Sequence, residues 1–299
     1  MKRGHWQILL AAALFLLALG LTLYPVVSNW YIGRHQSRIQ TEYREVLEQT
    51  DSAEIESIRE SAVAYNKTIT PGAAEEAYSQ ASIRLAAEDY VNQLNVSGSG
   101  IMGYVEIPKI GVDLPIYHGT GADSLDRGTG HLLGSSLPVD GESTHTIITG
   151  HSGMASQKMF TDLEQLREGD IFYLHVLDET LTYEVREIHT VLPHDTTYLG
   201  IEPGEDLCTL VTCTPTGVNT HRLLVHGSRI PYVPTEETEA SAVLHEENTD
   251  SNWEKQYWLG VRLGLAAMVF LTLVAGAVLY IRRNRGRAVH RKGGRYVRK

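Results

Sequence analysis

Residues 207–230 read LCTLVTCTPTGVNTHRLLVHGSRI. Two apolar runs, Leu207–Thr212 and Leu223–Ile230, flank a polar stretch that contains Pro215 and Gly217. That pattern predicts a strand, a loop and a returning strand. The texture extends back to Gly100: Ile101–Ile110, His145–Thr149, Ile171–Leu177 and Leu181–Leu192 are further β-rich runs between turn residues. Short strands at close spacing predict a mostly β architecture, a barrel or a sandwich. Upstream the periodicity changes. Ile39, Tyr43, Val46 and Leu47 recur at helical spacing within residues 36–62, and Ala77, Ala81, Leu85, Val91 and Leu94 do so within 73–94. Thr70-Pro71-Gly72 breaks the two.

Outside this core lie two apolar runs. Residues 8–27, ILLAAALFLLALGLTLYPVV, carry no charge. About 20 helical residues cross a ~30 Å hydrocarbon layer. A cleaved signal peptide is the alternative, but its apolar region would be about 7–15 residues long and followed by a small-x-small site. Pro25-Val26-Val27-Ser28-Asn29-Trp30 offers none, so an uncleaved anchor is expected. Leu263–Ile281 is the second run, preceded by Trp253, Tyr257 and Trp258 and followed by a basic tail that begins Arg282, Arg283, Arg285, Arg287. Basic flanks at both ends place both termini in the cytoplasm.

The charge pattern agrees. The net charge is −10, yet all 36 acidic residues lie between Glu42 and Glu254. An acidic folded region argues against nucleic acid as a partner, and the lipid bilayer is the expected partner of the basic tail. With 42% hydrophobic and 21% charged residues, wholesale disorder is excluded. The expected order is a cytoplasmic N-terminus (1–7), an anchor (8–27), an extracellular helical extension (31–95), a β domain (96–233), an acidic linker (234–256), a second transmembrane helix (257–281) and a basic cytoplasmic tail (282–299).

Two cysteines exclude a disulfide framework and a four-cysteine zinc site. Cys208 and Cys213 fall on one strand with an offset of five, which puts them on opposite faces and roughly 16 Å apart, too far for a disulfide. Cys208 reads as a small packed hydrophobe. Cys213 ends the strand beside a loop, where chemistry is usually exposed. A thiol nucleophile needs a base. Among many histidines, His175 and His189 lie mid-strand and read as packing residues. His151 follows the strand HTIIT inside Gly150-His151-Ser152-Gly153, where the glycines are expected to let the backbone turn sharply and leave the ring at a strand end. Acyl chemistry also needs an oxyanion partner. Arg222 begins the returning strand and is the candidate; Arg229 lies at its far end.

These residues resemble a known family. Thr209-Leu210-Val211-Thr212-Cys213 is similar to the Thr-Leu-x-Thr-Cys signature of sortases, the cysteine transpeptidases of Gram-positive bacteria. Gly150-His151 resembles the segment with the sortase histidine, and Asn219–Val225 the strand with its arginine. Gly103–Ile110, Leu114–Thr120 and Phe160–Leu163 resemble the pilin-polymerising branch, class C. The resemblance covers about residues 36–232. It implies an eight-stranded β-barrel with an N-terminal helical extension and two flanking transmembrane helices. It further implies that Cys213 cleaves a Leu-Pro-x-Thr-Gly-like sorting signal between Thr and Gly through a thioacyl intermediate. His151 would move the protons and Arg222 would hold the substrate and the oxyanion. A lysine amine of another pilin would then form an isopeptide bond. The implied partners are pilins or surface proteins with C-terminal sorting signals; no metal or cofactor is required.

One departure stands out. Class C members usually carry an Asp-Pro-aromatic lid, and this chain has no Asp-Pro. Glu76-Ala77-Tyr78 keeps an acid and an aromatic residue and is the candidate lid, although it reads more simply as helix; weaker autoinhibition is expected. Three alternatives remain: attachment of surface proteins to a peptidoglycan amine, a catalytically silent scaffold, and a histidine-rich metal-binding domain.

Overall fold

The computed structural model describes residues 2–70, 72–74, 88–154, 157–232 and 258–266, with 268, 270, 272 and 276. The chain divides into two compact units, Met1–Ser251 and Asn252–Lys299. In the second, residues 258–266 are helical and expose Trp258, Leu259, Leu263 and Leu265.

The first unit begins with helices α1 (Lys2–Gln49), α2 (Ser52–Asn66) and α3 (Glu88–Val91). Asp51 separates the first two: its extended backbone and a carboxylate accepting from Ala53 N at 2.9 Å cap α2. Where a single helical stretch was expected over 36–62, the structure has two helices, and the first is continuous with residues 8–27. Among the described residues no helix is long and apolar enough to cross a membrane, so the two flanking transmembrane helices are not established.

Eight strands follow: β1 (Ile101–Ile107), β2 (Val112–His118), β3 (Thr129–His131), β4 (Thr144–Thr149), β5 (Ile171–Val176), β6 (Glu179–Val191), β7 (Asp206–Thr214) and β8 (His221–Ile230), with the short helix α4 (Ala122–Leu125) before β3. They close into a barrel in the order β1-β2-β3-β4-β7-β8-β6-β5. The mostly β expectation and the eight-stranded barrel are what the structure contains. The pairs β2/β3 and β4/β7 are parallel. Parallel neighbours need crossovers, so these two ladders bring together residues far apart in sequence.

The barrel interior is filled by Val105, Ile107, Ile116, Ile148, Phe172, Leu174, Leu210 and Val225. Cys208 also faces inward and is fully buried; burial pushes its thiol pKa well up, which suits a packing residue. The helices are fastened to the outside. Tyr43 of α1 donates its hydroxyl to Met102 O and accepts from Leu177 N, both at 3.1 Å. Gln40 Nε2 donates to Asp113 Oδ1 at 2.7 Å, and Arg44 Nη2 to the Tyr104 hydroxyl at 2.6 Å. Tyr90 of α3 lies 2.8 Å from His131 Nδ1 through its hydroxyl, while His131 Nε2 reaches Ser136 O at 2.8 Å.

Candidate active site

β7 runs to Thr214, two residues beyond the strand end expected from the sequence. The reason is the ladder with β8, which continues through Cys213↔Arg222 and Thr214↔His221. Cys213 is thus opposite Arg222. Opposed residues in an antiparallel pair have Cβ atoms about 4.5–5.5 Å apart, so thiol and guanidinium share one face. Both side chains are half-buried. Arg222 Nη1 donates to His221 O at 3.0 Å, which holds the guanidinium to the start of β8. Arg229 pairs with Tyr183 at the far end of the strand, as its position implied.

β4 flanks β7 on the other side, in parallel, with Thr149 against Val211. The pairing is carried past the strand end: Gly150 N donates to Val211 O at 3.0 Å, and Thr212 Oγ1 donates to Gly150 O at 2.8 Å. Ser152 Oγ donates to Cys213 O at 2.5 Å. His151 lies between these tethers, so it flanks Cys213 on the side away from Arg222. The order across the sheet is His151, Cys213, Arg222, and the three sequence candidates come together at one end of the barrel.

The glycines around His151 do different work from the expected sharp turn. Only Gly153 has a positive φ, +72°. Gly150 is required for packing: a Cβ there would meet Phe160 Cδ2 at 2.7 Å and Cγ at 2.8 Å. Phe160 is fully buried, and its amide donates to His151 O at 2.9 Å. Gly153 N donates to Thr161 Oγ1 at 3.0 Å. The loop that carries His151 is therefore folded back on Phe160-Thr161 rather than left free.

Alternation along the strands puts Cys213 on the same outer face as Val211, Leu224 and Ile147. These residues cluster with Leu132, Val191, Leu199 and Ala74. An apolar floor thus leads to the thiol. Leu199, from the β6–β7 connection, packs on it, and so does Ala74, the last described residue before 75–87. Glu76 and Tyr78 lie outside the described residues. Further along this face His145 Nε2 lies 2.6 Å from Thr209 Oγ1, which is 2.7 Å from His226 Nδ1. Burial lowers the His226 pKa to about 4. His189 stacks on Tyr198 at 3.8 Å and bonds Glu187, and His175 stacks on Tyr104 and bonds Glu106, the packing roles expected for both. Among the described residues no group of three or more His, Cys, Asp or Glu is gathered closely enough to hold a metal ion.

Asp126 was not among the candidates read from the sequence. It follows α4, and its Oδ1 lies 3.8 Å from His151 Nε2. A lone aspartate in a loop carries no motif; long-range packing delivers it.

A half-buried thiol, a histidine on one flank and an arginine on the other form an acyl-transfer arrangement. Comparisons with known proteins agree. A family model described as the sortase domain matches residues 105–230. Streptococcus pneumoniae Sortase C, whose structure is described for catalysis and pilin substrate specificity, is 44% identical with a TM-score of 0.61, covering 66% of this chain and 99% of that one. The pilus-related Sortase C of Group B Streptococcus is 41% identical with a TM-score of 0.59, over 64% of this chain and 97% of that one. Bacillus subtilis Sortase D is 31% identical over 43% of this chain and 63% of its own length, less than two thirds of that relative. With its eight-stranded barrel and its nearly full-length cover of sortase C structures in accord, the chain belongs to the sortase family of cysteine transpeptidases, on the class C side of that family.

Proposed function

We propose that this protein is a membrane-anchored transpeptidase that joins pilin subunits. Cys213 attacks the carbonyl of the threonine in a Leu-Pro-x-Thr-Gly-like signal. His151 protonates the departing glycine amine. A thioacyl enzyme remains, and a lysine amine of a second subunit resolves it to an isopeptide, with His151 as base. Arg222 stabilises the oxyanion in both steps. The apolar floor of Ile147, Val211 and Leu224 receives the apolar Leu-Pro portion of the signal. The observation that carries this reading is the Cys213↔Arg222 register with His151 tethered on the opposite flank.

Anchoring rests on the uncharged run 8–27, whose Leu14, Phe15, Leu16 and Leu17 are exposed on a helix continuous with the barrel's own fastening. The run 263–281 serves as the second span.

The test is intact-mass spectrometry of the detergent-solubilised full chain mixed with a Leu-Pro-x-Thr-Gly peptide, beside Cys213→Ala. A thioacyl adduct on the unmodified protein alone supports the proposal. A Cys213 that is alkylated by a small probe but never acylated by the peptide defeats the assigned signal.

A further inference from the structure

We propose that Asp126 is the receiving group for the ammonium of the acceptor amine, a role that rests on the transpeptidase reading above. Its backbone is fixed on both sides. Asp126 N donates to Ala122 O at 2.9 Å and closes α4, while Asp126 O accepts from the buried Gln157 Nε2, also at 2.9 Å, in the loop that carries His151. Its side chain is 64% exposed, so a fixed carboxylate is open to an incoming cation.

The spacing fits a third party. Asp126 Oδ1 and His151 Nε2 are 3.8 Å apart, too far for a direct hydrogen bond. A single nitrogen about 2.8 Å from each closes that triangle, with an angle at nitrogen of roughly 85°, close enough to ammonium geometry for two N–H donors. The neighbouring cations are engaged elsewhere: Arg127 lies over the Tyr117 ring and donates to Asp123 O, and Lys158 pairs with Asp162. Asp123, exposed one turn earlier on α4, adds negative charge.

Topology separates the two substrates. Asp126 precedes β3, on the β4 side of Cys213, whereas Arg222 starts β8 on the other side. The amine thus approaches Cys213 from the His151 side, across the nucleophile from the guanidinium that holds the acyl oxygen. In the thioacyl enzyme His151 is neutral, having given its proton to the leaving amine. The bound ammonium passes one proton to His151 Nε2. The amine then forms the C–N bond as the C–S bond breaks, and its second proton goes to the Cys213 sulfur. Thiol, isopeptide and an imidazolium result, and the imidazolium releases its proton to water.

The experiment uses full-length enzyme, a Leu-Pro-x-Thr-Gly peptide and two nucleophiles: Nα-acetyl-lysine methylamide, a cation at pH 7.5, and hydroxylamine, uncharged there. Asp126→Asn is expected to lower kcat/KM for the lysine amide about threefold to fivefold, the range of an exposed ion pair, and the loss should fade at high salt. Thioacyl formation and reaction with hydroxylamine should stay within twofold, and Asp126→Glu should recover part of the loss. Equal losses with both nucleophiles, or slowed thioacylation, would mean that Asp126 acts by orienting His151 and would overturn the acceptor role. Unchanged lysine aminolysis beside a normal adduct overturns it alone, whereas no adduct on the unmodified enzyme overturns the transpeptidase reading and this role with it.

Discussion

Gly150→Ala adds one methyl group at the point where the His151 loop leaves β4. The new Cβ would lie 2.7 Å from Phe160 Cδ2, 2.8 Å from Cγ and 3.1 Å from Cε2. Real Cβ contacts are not that short, and Phe160 has no solvent to move into, being 0% exposed. Overpacking of this kind costs about 1–3 kcal/mol. Phe160→Ala removes all three contacting atoms and, as a cavity substitution, costs about 3–5 kcal/mol. The double variant should then be no less stable than Phe160→Ala, so that the interaction energy equals the whole Gly150→Ala effect. Urea unfolding of the three variants measures this. A second readout is thioacylation under fully folded conditions. The Phe160 amide holds His151 O at 2.9 Å, so shifting the ring shifts the base. A displacement near 1 Å slows chemistry by up to about a hundredfold. Strictly additive stabilities, or a Gly150→Ala enzyme with unaltered thioacylation, would refute the claim that Phe160 positions His151.

Arg222→Ala should slow thioacylation by about a hundredfold to a thousandfold, the usual loss of an oxyanion donor, with little change in the unfolding midpoint; single-turnover kinetics beside urea curves test it. Tyr43→Phe should destabilise by about 1–3 kcal/mol, because Met102 O and Leu177 N lose their buried partner. Stability should fall on acidification. Burial lowers the pKa of His131 and of His226 to about 4 from 6.5, so between those values the unfolded chain binds protons that the folded one refuses. Asp206, raised by burial to about 6 from 3.8, acts in the opposite sense over nearly the same window. Each group is worth about 3 kcal/mol, so two losses against one gain leave a net loss of about 3 kcal/mol between pH 7 and pH 4; a flat or rising profile would contradict the burial of the two histidines.

The β7–β8 hairpin was readable because its two apolar runs are adjacent in sequence and its loop carries turn residues. Cys213 and Arg222 could be paired from that alone. Other strands were hidden for local reasons. β2 contains Pro115, which argues against a strand, yet it sits in register with Tyr104. β3 spans only Thr129–His131, too short for alternation to show. The break between α1 and α2 was signalled by Asp51, but helical periodicity on both sides masked it. His151 was legible as a residue at a strand end, while its place beside Cys213 depends on a parallel ladder between strands some 60 residues apart, which no local pattern encodes. Gly150 was noticed for the wrong property: what matters is the space it leaves for Phe160. Asp126 could not be read at all, since its approach to His151 exists only in the folded chain.

The continuous α1 helix sets a working height for the proposed enzyme. From Tyr31 to Tyr43 it rises about 18 Å, and Gln40, Tyr43 and Arg44 then clamp it to the barrel. There is no elbow between the apolar run and the catalytic unit. With the proposed anchoring, the barrel would be carried like a tool head on a fixed mast, at one distance from the bilayer and in one attitude towards it. It would not reach for its work: a sorting signal and an acceptor amine would both have to be presented at that level, so growth of a fibre would be fed from the membrane surface, and the spacer between a subunit's fold and its sorting signal would be matched to the length of this helix.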